Sequence, residues 1–385
     1  MDRRTFLSYG AASVAAAWWP GAASGAESVE GYRRLLILIE LKGGNDALNT
    51  VVPYADPAYY ALRPNIAVRG DTVIRLDERT GLNPALQPLA SLWETRDLAI
   101  VQGIGYPQPN LSHFRSIEIW DTASKADEYL NDGWLARSFV AKPAPPGFAA
   151  DGVVVGSNEF GPLAGTGTRS IVLNDTDQFL RQARLAAGTA KRGNAALNHI
   201  LKVQDDIAQA AAHLNPNIEF RTDFPKHPFG NAVRTAAQLA ANPAGVCAIR
   251  LTLSGFDTHR NQPFVHQRLL RELAEGVAAL KSALVETGRW NSTLVMTYAE
   301  FGRRPQENNS NGTDHGTAAA HFVAGGLVKG GLYGQPPRLD RLEGGNLMHA
   351  VDFRSLYATA LERWWGVPSQ GPLKGRYPVL ELLKV

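Results

Sequence analysis

The stretch Leu35-Leu36-Ile37-Leu38-Ile39-Glu40-Leu41 decides the fold of this chain, because it is an almost unbroken run of aliphatic residues. Such a run is typical of a strand whose two faces are both covered, as in a parallel sheet between helices. It ends at Lys42-Gly43-Gly44-Asn45-Asp46, where the two glycines indicate a turn. We therefore predict that the first strand of a buried sheet leads into a polar turn.

Five further segments have the composition of strands, and helical patterns fall between them. The strand candidates are residues 98–102, 152–155, 246–253, 293–298 and 320–324. The helix candidates, with apolar residues three and four apart, are residues 112–122, 194–214, 230–241, 265–286 and 353–364. Strands that alternate with helices predict an α/β fold, with a mostly parallel sheet and helices on both faces.

The composition is that of a globular protein that buries a sizeable core: 385 residues, 44% hydrophobic and 19% charged, with a net charge of +3. Lys and Arg form no run beyond pairs, so we expect no nucleic-acid partner. The single Cys247 excludes an intrachain disulfide and a cysteine zinc cluster. We predict one domain over residues 27–385, in which the Ala-rich residues 180–245 are a candidate helical cap.

The first 26 residues have the pattern of an export signal. Asp2-Arg3-Arg4-Thr5-Phe6-Leu7 precedes an apolar stretch at residues 9–19 and a small-residue processing site at residues 20–26. The arginine pair resembles a twin-arginine signal, and the apolar run is shorter than the roughly 20 residues that span a bilayer. We therefore predict a signal peptide at residues 1–26, export by the twin-arginine machinery, a periplasmic or secreted location, and no membrane span in the mature chain.

Carboxylates and imidazoles collect where three of the predicted strands end. They are Asp46 after the first strand, Asp257 and His259 after residues 246–253, Glu300 after residues 293–298, and Asp314 and His315 in the following loop. The carboxyl ends of parallel neighbours meet at one edge of a sheet, so we expect these side chains to converge on one crevice. Such a set suits a divalent metal, Zn, Mn, Ca or Mg, which would stabilise developing negative charge. His321 is a further candidate ligand.

Ser112 precedes a predicted helix in the stretch Pro109-Asn110-Leu111-Ser112-His113-Phe114. Its hydroxyl is a candidate nucleophile toward an anion held at the start of that helix. His113 is a candidate catalytic support for Ser112, and Arg303 is a candidate clamp on an anionic oxygen. The competing interpretation makes Ser112 a plain N-cap and leaves His113 to pack.

The strand-end residues also have purely structural interpretations. Asp46 after two glycines fits an Asx turn, and Asp257 with His259 fits a stabilised turn that carries a surface histidine. Glu300 fits an ion pair with one of the two arginines at residues 303–304.

In these motifs the chain resembles the bacterial domain-of-unknown-function 1501 family. The matching stretches are Gly43-Gly44-Asn45-Asp46-Ala47-Leu48, Ser112-His113-Phe114, Phe256-Asp257-Thr258-His259, Glu300-Phe301-Gly302-Arg303 and Asp314-His315-Gly316, in order over about residues 34–366. That family resembles, more distantly, the alkaline phosphatase and sulfatase superfamily, in which metal ligands and a Ser, Thr or Cys nucleophile lie at strand ends in a similar order.

This resemblance implies an alkaline phosphatase-like fold and a role for each matching position. By position, Asp46 corresponds to the first metal aspartate, Ser112 to the nucleophile, Asp257 and His259 to the middle metal pair, Glu300 to the next acid and His315 to the last histidine. We therefore expect a metal-dependent hydrolase that acts on a phosphate or sulfate ester of a small molecule or glycan. The alternative is a non-catalytic envelope or glycan-binding protein with a degenerate cleft, which is favoured by Phe301, a residue that stands where the superfamily has a histidine.

Overall fold

The computed structural model describes residues 31–173 and 218–385, and these residues are built around one large sheet. Its nine strands within the described residues are β1 Leu35–Lys42, β2 Leu98–Gly105, β3 Ala150–Val155, β4 Ser170–Leu173, β5 Val246–Ser254, β6 Thr293–Tyr298, β7 Ala319–Ala324, β8 Gly331–Gly334 and β9 Val351–Asp352. Their order across the sheet is β8-β2-β7-β6-β1-β5-β3-β4, with β9 also paired to β2. Neighbours are parallel except at β7, which runs antiparallel to β2 and β6. The predicted mostly parallel sheet is therefore confirmed.

Helices cover both faces of this sheet. They are α1 Ala47–Thr50, α2 Pro57–Leu62, α3 Ala90–Glu94, α4 His113–Thr122, α5 Trp134–Ala141, α6 Pro228–Ala241, α7 Gln262–Glu286 and α8 Arg354–Ala358, which continues as a π-helix over Thr359–Trp364. The helices predicted at residues 112–122, 230–241, 265–286 and 353–364 correspond to α4, α6, α7 and α8 with its extension. The helix predicted at residues 194–214, the signal peptide and much of the candidate cap lie outside the described residues.

β1 is buried from Leu35 to Leu41, as its aliphatic run predicts. Leu35, Ile37 and Ile39 belong to a core cluster that includes α6 and α7, whereas Leu36 and Leu38 belong to a second cluster with α4, α5 and α8. Side chains alternate along a strand, so Glu40 lies on the same face as Leu36 and Leu38, under α4. A helix layer on each face thus explains why the strand is apolar on both sides.

Two small antiparallel sheets accompany the central one. Val51–Val52, Ile74–Arg75 and Gly81–Leu82 form one, and Arg303–Glu307 with Thr313–His315 form the other. The second sheet is a ribbon that follows β6 and places His315 opposite Arg303. None of the helices in residues 31–173 and 218–385 is long and apolar enough to cross a bilayer.

Candidate metal centre

Three neighbouring strands bring the candidate residues to one edge of the sheet. β1 lies between β5 and β6 and is parallel to both, so the carboxyl ends of the three strands meet. Asp257 comes shortly after β5 and Glu300 shortly after β6, and the ribbon returns His315 to the same place. The convergence that the sequence predicts therefore occurs for these residues, and sheet topology produces it.

Three imidazoles surround one carboxylate at this edge. His259 Nε2 and His315 Nε2 are 3.0 Å apart, and they lie 3.0 Å and 3.2 Å from Asp257 Oδ1. His113 Nε2 lies 3.4 Å from the other oxygen, Asp257 Oδ2. Ligand atoms of His113, Asp257 and His315 all fall within 4.8 Å of one another. We refer to His113, Asp257, His259 and His315 as the candidate metal centre.

Hydrogen bonds behind two of the rings decide which nitrogen faces the centre. His113 Nδ1 donates to Glu300 Oε1 at 2.8 Å, and His315 Nδ1 donates to the carbonyl oxygen of Leu111 at 2.8 Å. With Nδ1 protonated, the neutral ring presents the lone pair of Nε2 to the centre, as metal-bound imidazoles do. His113 Nε2 is also buried and has no hydrogen-bond partner within the described residues. This arrangement fits a divalent metal.

The two rings have opposite pKa shifts. The hydrogen bond from His113 to Glu300 raises the pKa of His113, although burial opposes this. Burial lowers the pKa of His315, in spite of the bond to Leu111, and so favours its neutral form.

Arg303 fixes the carboxylate of the centre. Its guanidinium lies 2.6 Å from Asp257 Oδ1 and also donates to the carbonyl oxygens of Gly43, Gly44, Phe256 and Thr313. Burial alone would raise the pKa of Asp257, but Arg303 and the imidazoles hold this pKa at about 2. The prediction that Arg303 clamps a substrate oxygen is not supported, because its side chain is buried and engaged with protein acceptors.

Asp46 does not join the centre. It is fully buried, pairs with Arg63 at 2.6 Å, caps α1 by accepting the Leu48 N–H at 3.1 Å, and accepts a short hydrogen bond from Gln262. Burial would raise the pKa of Asp46, but Arg63 lowers it below its usual value. Gln262 in turn accepts from the Thr313 hydroxyl at 2.6 Å, so Asp46 braces the loops behind the centre. The structural interpretation of Asp46 as a turn-capping residue describes its contacts.

Glu300 and Asp314 lie behind imidazoles and not among the ligand atoms. Glu300 Oε1 bonds to His113 and accepts the Gly43 N–H at 2.9 Å, and neither arginine at residues 303–304 pairs with it among the described contacts. Asp314 is exposed, with Oδ1 3.6 Å from His259 Nδ1. Both were predicted as ligands; Glu300 instead occupies the outer position that orients a ligating histidine, whereas Asp314 makes no hydrogen bond to His259 at this distance.

Ser112 occupies the N-cap position of α4 but makes no capping hydrogen bond with its side chain. The residue is exposed, so its hydroxyl is accessible next to His113. His113, predicted as a catalytic support for Ser112, points into the centre instead. His321 lies apart in β7, where its ring stands edge-on to Trp120 at 5.4 Å, and burial lowers its pKa to about 3.

Phe301 fills the space on one side of the centre. Its buried ring lies 4.9 Å from the His113 ring and 4.6 Å from the His315 ring, measured between centroids. Gly44, at φ +79°, makes room for it, because a Cβ there would lie 2.5 Å from the Phe301 ring. The glycine turn after β1 is thus required by a close approach to the centre.

An open cleft of about 650 Å³ lies beside the centre. His113, Asp257 and Glu300 line it, together with Glu40 and Asp121, which the sequence analysis did not single out. A sequence signal existed for Glu40, because a charged residue inside an aliphatic strand is costly to bury without a partner. Asp121 lies on the amphipathic helix α4, and nothing in its local pattern distinguishes it.

The sequence profile of a family described as "Protein of unknown function (DUF1501)" matches residues 99–367. The resemblance inferred from the motifs is thereby confirmed. A comparison with curated protein sequences found no match.

Similar solved structures share little sequence with this chain. A phosphonate monoester hydrolase from Silicibacter pomeroyi is 11% identical, with a TM-score of 0.41 over 89% of this chain and 75% of that chain. A protein in the alkaline phosphatase superfamily from Vibrio parahaemolyticus is 9% identical, with a TM-score of 0.43 over 89% and 69%. A sulfatase from Pseudoalteromonas sp. is 10% identical, with a TM-score of 0.43 over 90% and 70%. The roles of the site residues therefore rest on the geometry of this chain.

Proposed function

This chain belongs to the DUF1501 family, and from the geometry of its own residues we propose that it is an exported, metal-dependent hydrolase of a phosphate or sulfate ester. One observation carries the proposal: three imidazoles face the carboxylate of Asp257, and hydrogen bonds to Glu300 and Leu111 present Nε2 of two of these rings. Hydrogen bonds that orient the ring in this way are typical of histidines that bind a metal, and histidines in an ordinary surface cluster do not require them.

The donor set narrows the choice of metal to Zn or Mn. The three imidazole nitrogens suit Zn best and the carboxylate of Asp257 also suits Mn, whereas Ca and Mg prefer sites made of oxygen ligands. His113, Asp257 and His315, whose ligand atoms all lie within 4.8 Å of one another, would hold the ion, and His259, with Nε2 3.0 Å from Asp257 Oδ1, would complete the set. It would supply Lewis-acid stabilisation of the negative charge that develops on the transferring phosphoryl or sulfuryl group.

Ser112 is the nucleophile in this proposal. Its hydroxyl is exposed at the start of α4, where the first backbone N–H groups of the helix have no partner inside it and favour a bound anion. A bond forms from Ser112 Oγ to phosphorus or sulfur while the bond to the alcohol oxygen breaks. The proton that Ser112 loses balances the proton that the leaving alcohol takes up, and water then releases phosphate or sulfate.

The degenerate-cleft alternative is less well supported. It would be favoured by side chains of His259, Glu300 and His315 that point to separate surfaces. Instead His259 and His315 lie 3.0 Å apart, and Glu300 holds His113 beside them.

Hydrolysis assays test the proposal directly. The full chain, purified without chelator and supplied with Zn or Mn, is assayed with para-nitrophenyl phosphate and para-nitrophenyl sulfate. We expect turnover of at least one ester, lost in Ser112→Ala and in His315→Ala but retained in His349→Ala, which removes an exposed histidine outside the centre. Absence of turnover of both esters by the metal-loaded protein would favour the binding function.

Export is a separate part of the proposal and rests on the paired arginines near the start of the chain. Replacing both Arg3 and Arg4 by Lys keeps the charge but changes the pair that the twin-arginine machinery recognises. We expect the wild-type chain in the periplasm or the medium, and the variant in the cytoplasm. Equal distribution of the two proteins after cell fractionation would contradict a twin-arginine route.

A further inference from the structure

The cleft beside the candidate metal centre contains many more acidic than basic side chains. Its carboxylates are those of Glu40, Glu118, Asp121, Glu159, Asp257 and Glu300, and its basic side chains are those of Lys42 and His113. Both basic groups are already paired, Lys42 with Glu159 at 2.7 Å and His113 with Glu300 at 2.8 Å. Arg250, Arg115 and Arg303 pair with Glu40, Glu118 and Asp257 from outside the lining, and burial keeps Asp121 protonated below about pH 8. What the cleft offers a ligand is therefore carboxylate acceptors, and any that lack a partner favour a ligand that donates hydrogen bonds.

Two buried carboxylate oxygens in the lining of this cleft lack a hydrogen-bond donor within residues 31–173 and 218–385. Glu40 is fully buried; its Oε2 accepts from Arg250 at 2.6 Å and Thr252 at 3.0 Å, but its Oε1 accepts nothing. Glu300 is 2% exposed, and its Oε1 bonds to His113 while its Oε2 accepts nothing. Because a buried acceptor without a donor costs free energy, both oxygens call for donors from a ligand.

These two carboxylates come from neighbouring parts of the sheet, Glu40 from within β1 and Glu300 from just after β6. Glu40 on β1 pairs with Tyr298 on β6, and Glu300 follows Tyr298 by two residues. The pKa of Glu40 is raised mainly by burial, and the charge of Glu300 contributes to the rise. The strand register therefore brings the two carboxylates to the same part of the cleft.

A second metal ion is a poor occupant of this position. In the described part of the chain, the group of at least three ligand residues within 4.8 Å is His113, Asp257 and His315, and Glu40 is not a member. Two carboxylates without a third ligand fall short of the four to eight ligands that divalent ions take in proteins.

We propose that the cleft binds a primary ammonium group of the substrate, with Glu40 Oε1 and Glu300 Oε2 as acceptors. An ammonium nitrogen carries three N–H donors on one atom and so reaches oxygens of two different carboxylates, whereas a guanidinium fork suits both oxygens of one. Phe114, 89% exposed, lines the same cleft with Ile117 and Leu130 and provides apolar contact for the hydrocarbon part. The inference rests on the proposed function in one respect, that the ammonium group belongs to the alcohol part of the ester.

Binding of a charged probe and its neutral counterpart tests this site without any catalysis. Benzylamine, protonated at neutral pH, and benzyl alcohol are titrated into the full chain by calorimetry, with metal and after chelation. We expect benzylamine to bind about tenfold more tightly or better, since a charge-assisted hydrogen bond contributes roughly 1.5 to 3 kcal/mol. The preference should persist after chelation and in His315→Ala, because neither removes Glu40 or Glu300.

Two matched variants locate the site. Glu40→Gln keeps the shape of the side chain and removes its charge, so the preference for the amine should fall to about twofold or less. Glu118→Gln makes the same change in the same cleft, at a half-exposed residue paired with Arg115 at 3.0 Å, and should keep the preference.

The affinities of benzylamine and benzyl alcohol for the wild-type chain test the ammonium site even if Glu40→Gln does not fold. Equal affinity for benzylamine and benzyl alcohol would overturn the ammonium site. Loss of a metal equivalent in folded Glu40→Gln would also overturn it, in favour of a second metal. Amine preference without hydrolysis of either para-nitrophenyl ester would refute the proposed function and leave the ammonium site standing, and hydrolysis without amine preference would do the reverse.

Discussion

Burial of the Asp121 carboxyl group in the cleft makes the stability of the folded protein depend on pH. It lies half-buried in the last turn of α4, where the Tyr298 hydroxyl lies 3.4 Å from its Oδ1 and the charges of Arg250, Glu40 and Glu159 act on it. Burial, more than these charges, raises its pKa to about 8. The folded protein therefore keeps a proton that the unfolded chain releases near its usual pKa of about 3.9. Stability from this group falls as the pH rises from about 4 to 8.

We predict that Asp121→Asn stabilises the protein at pH 8 and has little effect at pH 4. The gain should reach up to about 5 kcal/mol, because the pKa of Asp121 lies about four units above its usual value, each unit corresponds to about 1.4 kcal/mol, and the amide does not ionise. Urea unfolding of both proteins at the two pH values measures it. An equal effect of the substitution at pH 4 and pH 8 would show that ionisation of Asp121 is not the cause.

Arg303 acts on the metal centre through Asp257 and is a positioning residue. A lysine retains its charge but cannot make the fan of hydrogen bonds to Asp257 and four carbonyl oxygens. We predict that Arg303→Lys weakens metal binding about tenfold to a hundredfold. Titration with Zn, followed by calorimetry, measures the loss, and Arg304→Lys is the matched control. Unchanged affinity in folded Arg303→Lys would remove Arg303 from the account.

Ser112, the proposed nucleophile, is also the N-cap residue of α4. Ser112 makes no capping hydrogen bond, whereas Asp56 caps α2 through the Ala58 N–H at 2.9 Å. We predict that Ser112→Ala changes the free energy of unfolding by less than about 0.5 kcal/mol while it abolishes turnover, and that Asp56→Ala costs about 1 kcal/mol. Denaturant unfolding of both variants checks this. A stability loss in Ser112→Ala as large as that in Asp56→Ala would support the plain N-cap interpretation.

The strands themselves could be predicted from the sequence, because burial on both faces leaves a clear aliphatic pattern. β6 spans the predicted residues 293–298, and β1 ends one residue later than predicted. The antiparallel direction of β7 could not be predicted, since its apolar residues would suit either orientation. The orientation of β7 depends on the path of the antiparallel ribbon between β6 and β7, and no local sequence pattern indicates that path.

The sequence predicted which residues lie close together at the site better than it predicted which of them face the centre. Strand ends placed Asp257, His259 and His315 correctly together, but the sequence could not tell a ligand from the residue behind it. His113 was predicted to support Ser112 and Glu300 to bind the metal, but the hydrogen bond between them turns Nε2 of His113 toward the centre and leaves Glu300 behind the ring, which only side-chain geometry fixes. Asp46 was predicted as a ligand but pairs with Arg63 instead. The two residues are 17 positions apart, and no pattern in the sequence indicates their contact.

At the scale of the whole molecule, the central sheet explains why one crevice holds all of this chemistry. β5, β1 and β6 are adjacent and parallel, so three separate parts of the chain deliver polar turns to one edge. The helix α4, which covers the face that carries Glu40, adds His113 at its first turn and Asp121 near its last. The fold therefore places the cleft directly beside the candidate metal centre.

The amount of metal in the purified full chain decides whether the candidate metal centre binds an ion. Elemental analysis should compare the wild type with an Asp257→Asn, His315→Ala double variant and with His349→Ala as a control outside the centre. We predict about one equivalent of Zn or Mn per chain in the wild type and the control, because one set of four donors forms one site. The double variant should lose that metal while it remains folded. Metal that persists in the double variant, or a wild-type chain that takes up none when Zn and Mn are supplied, would contradict the account.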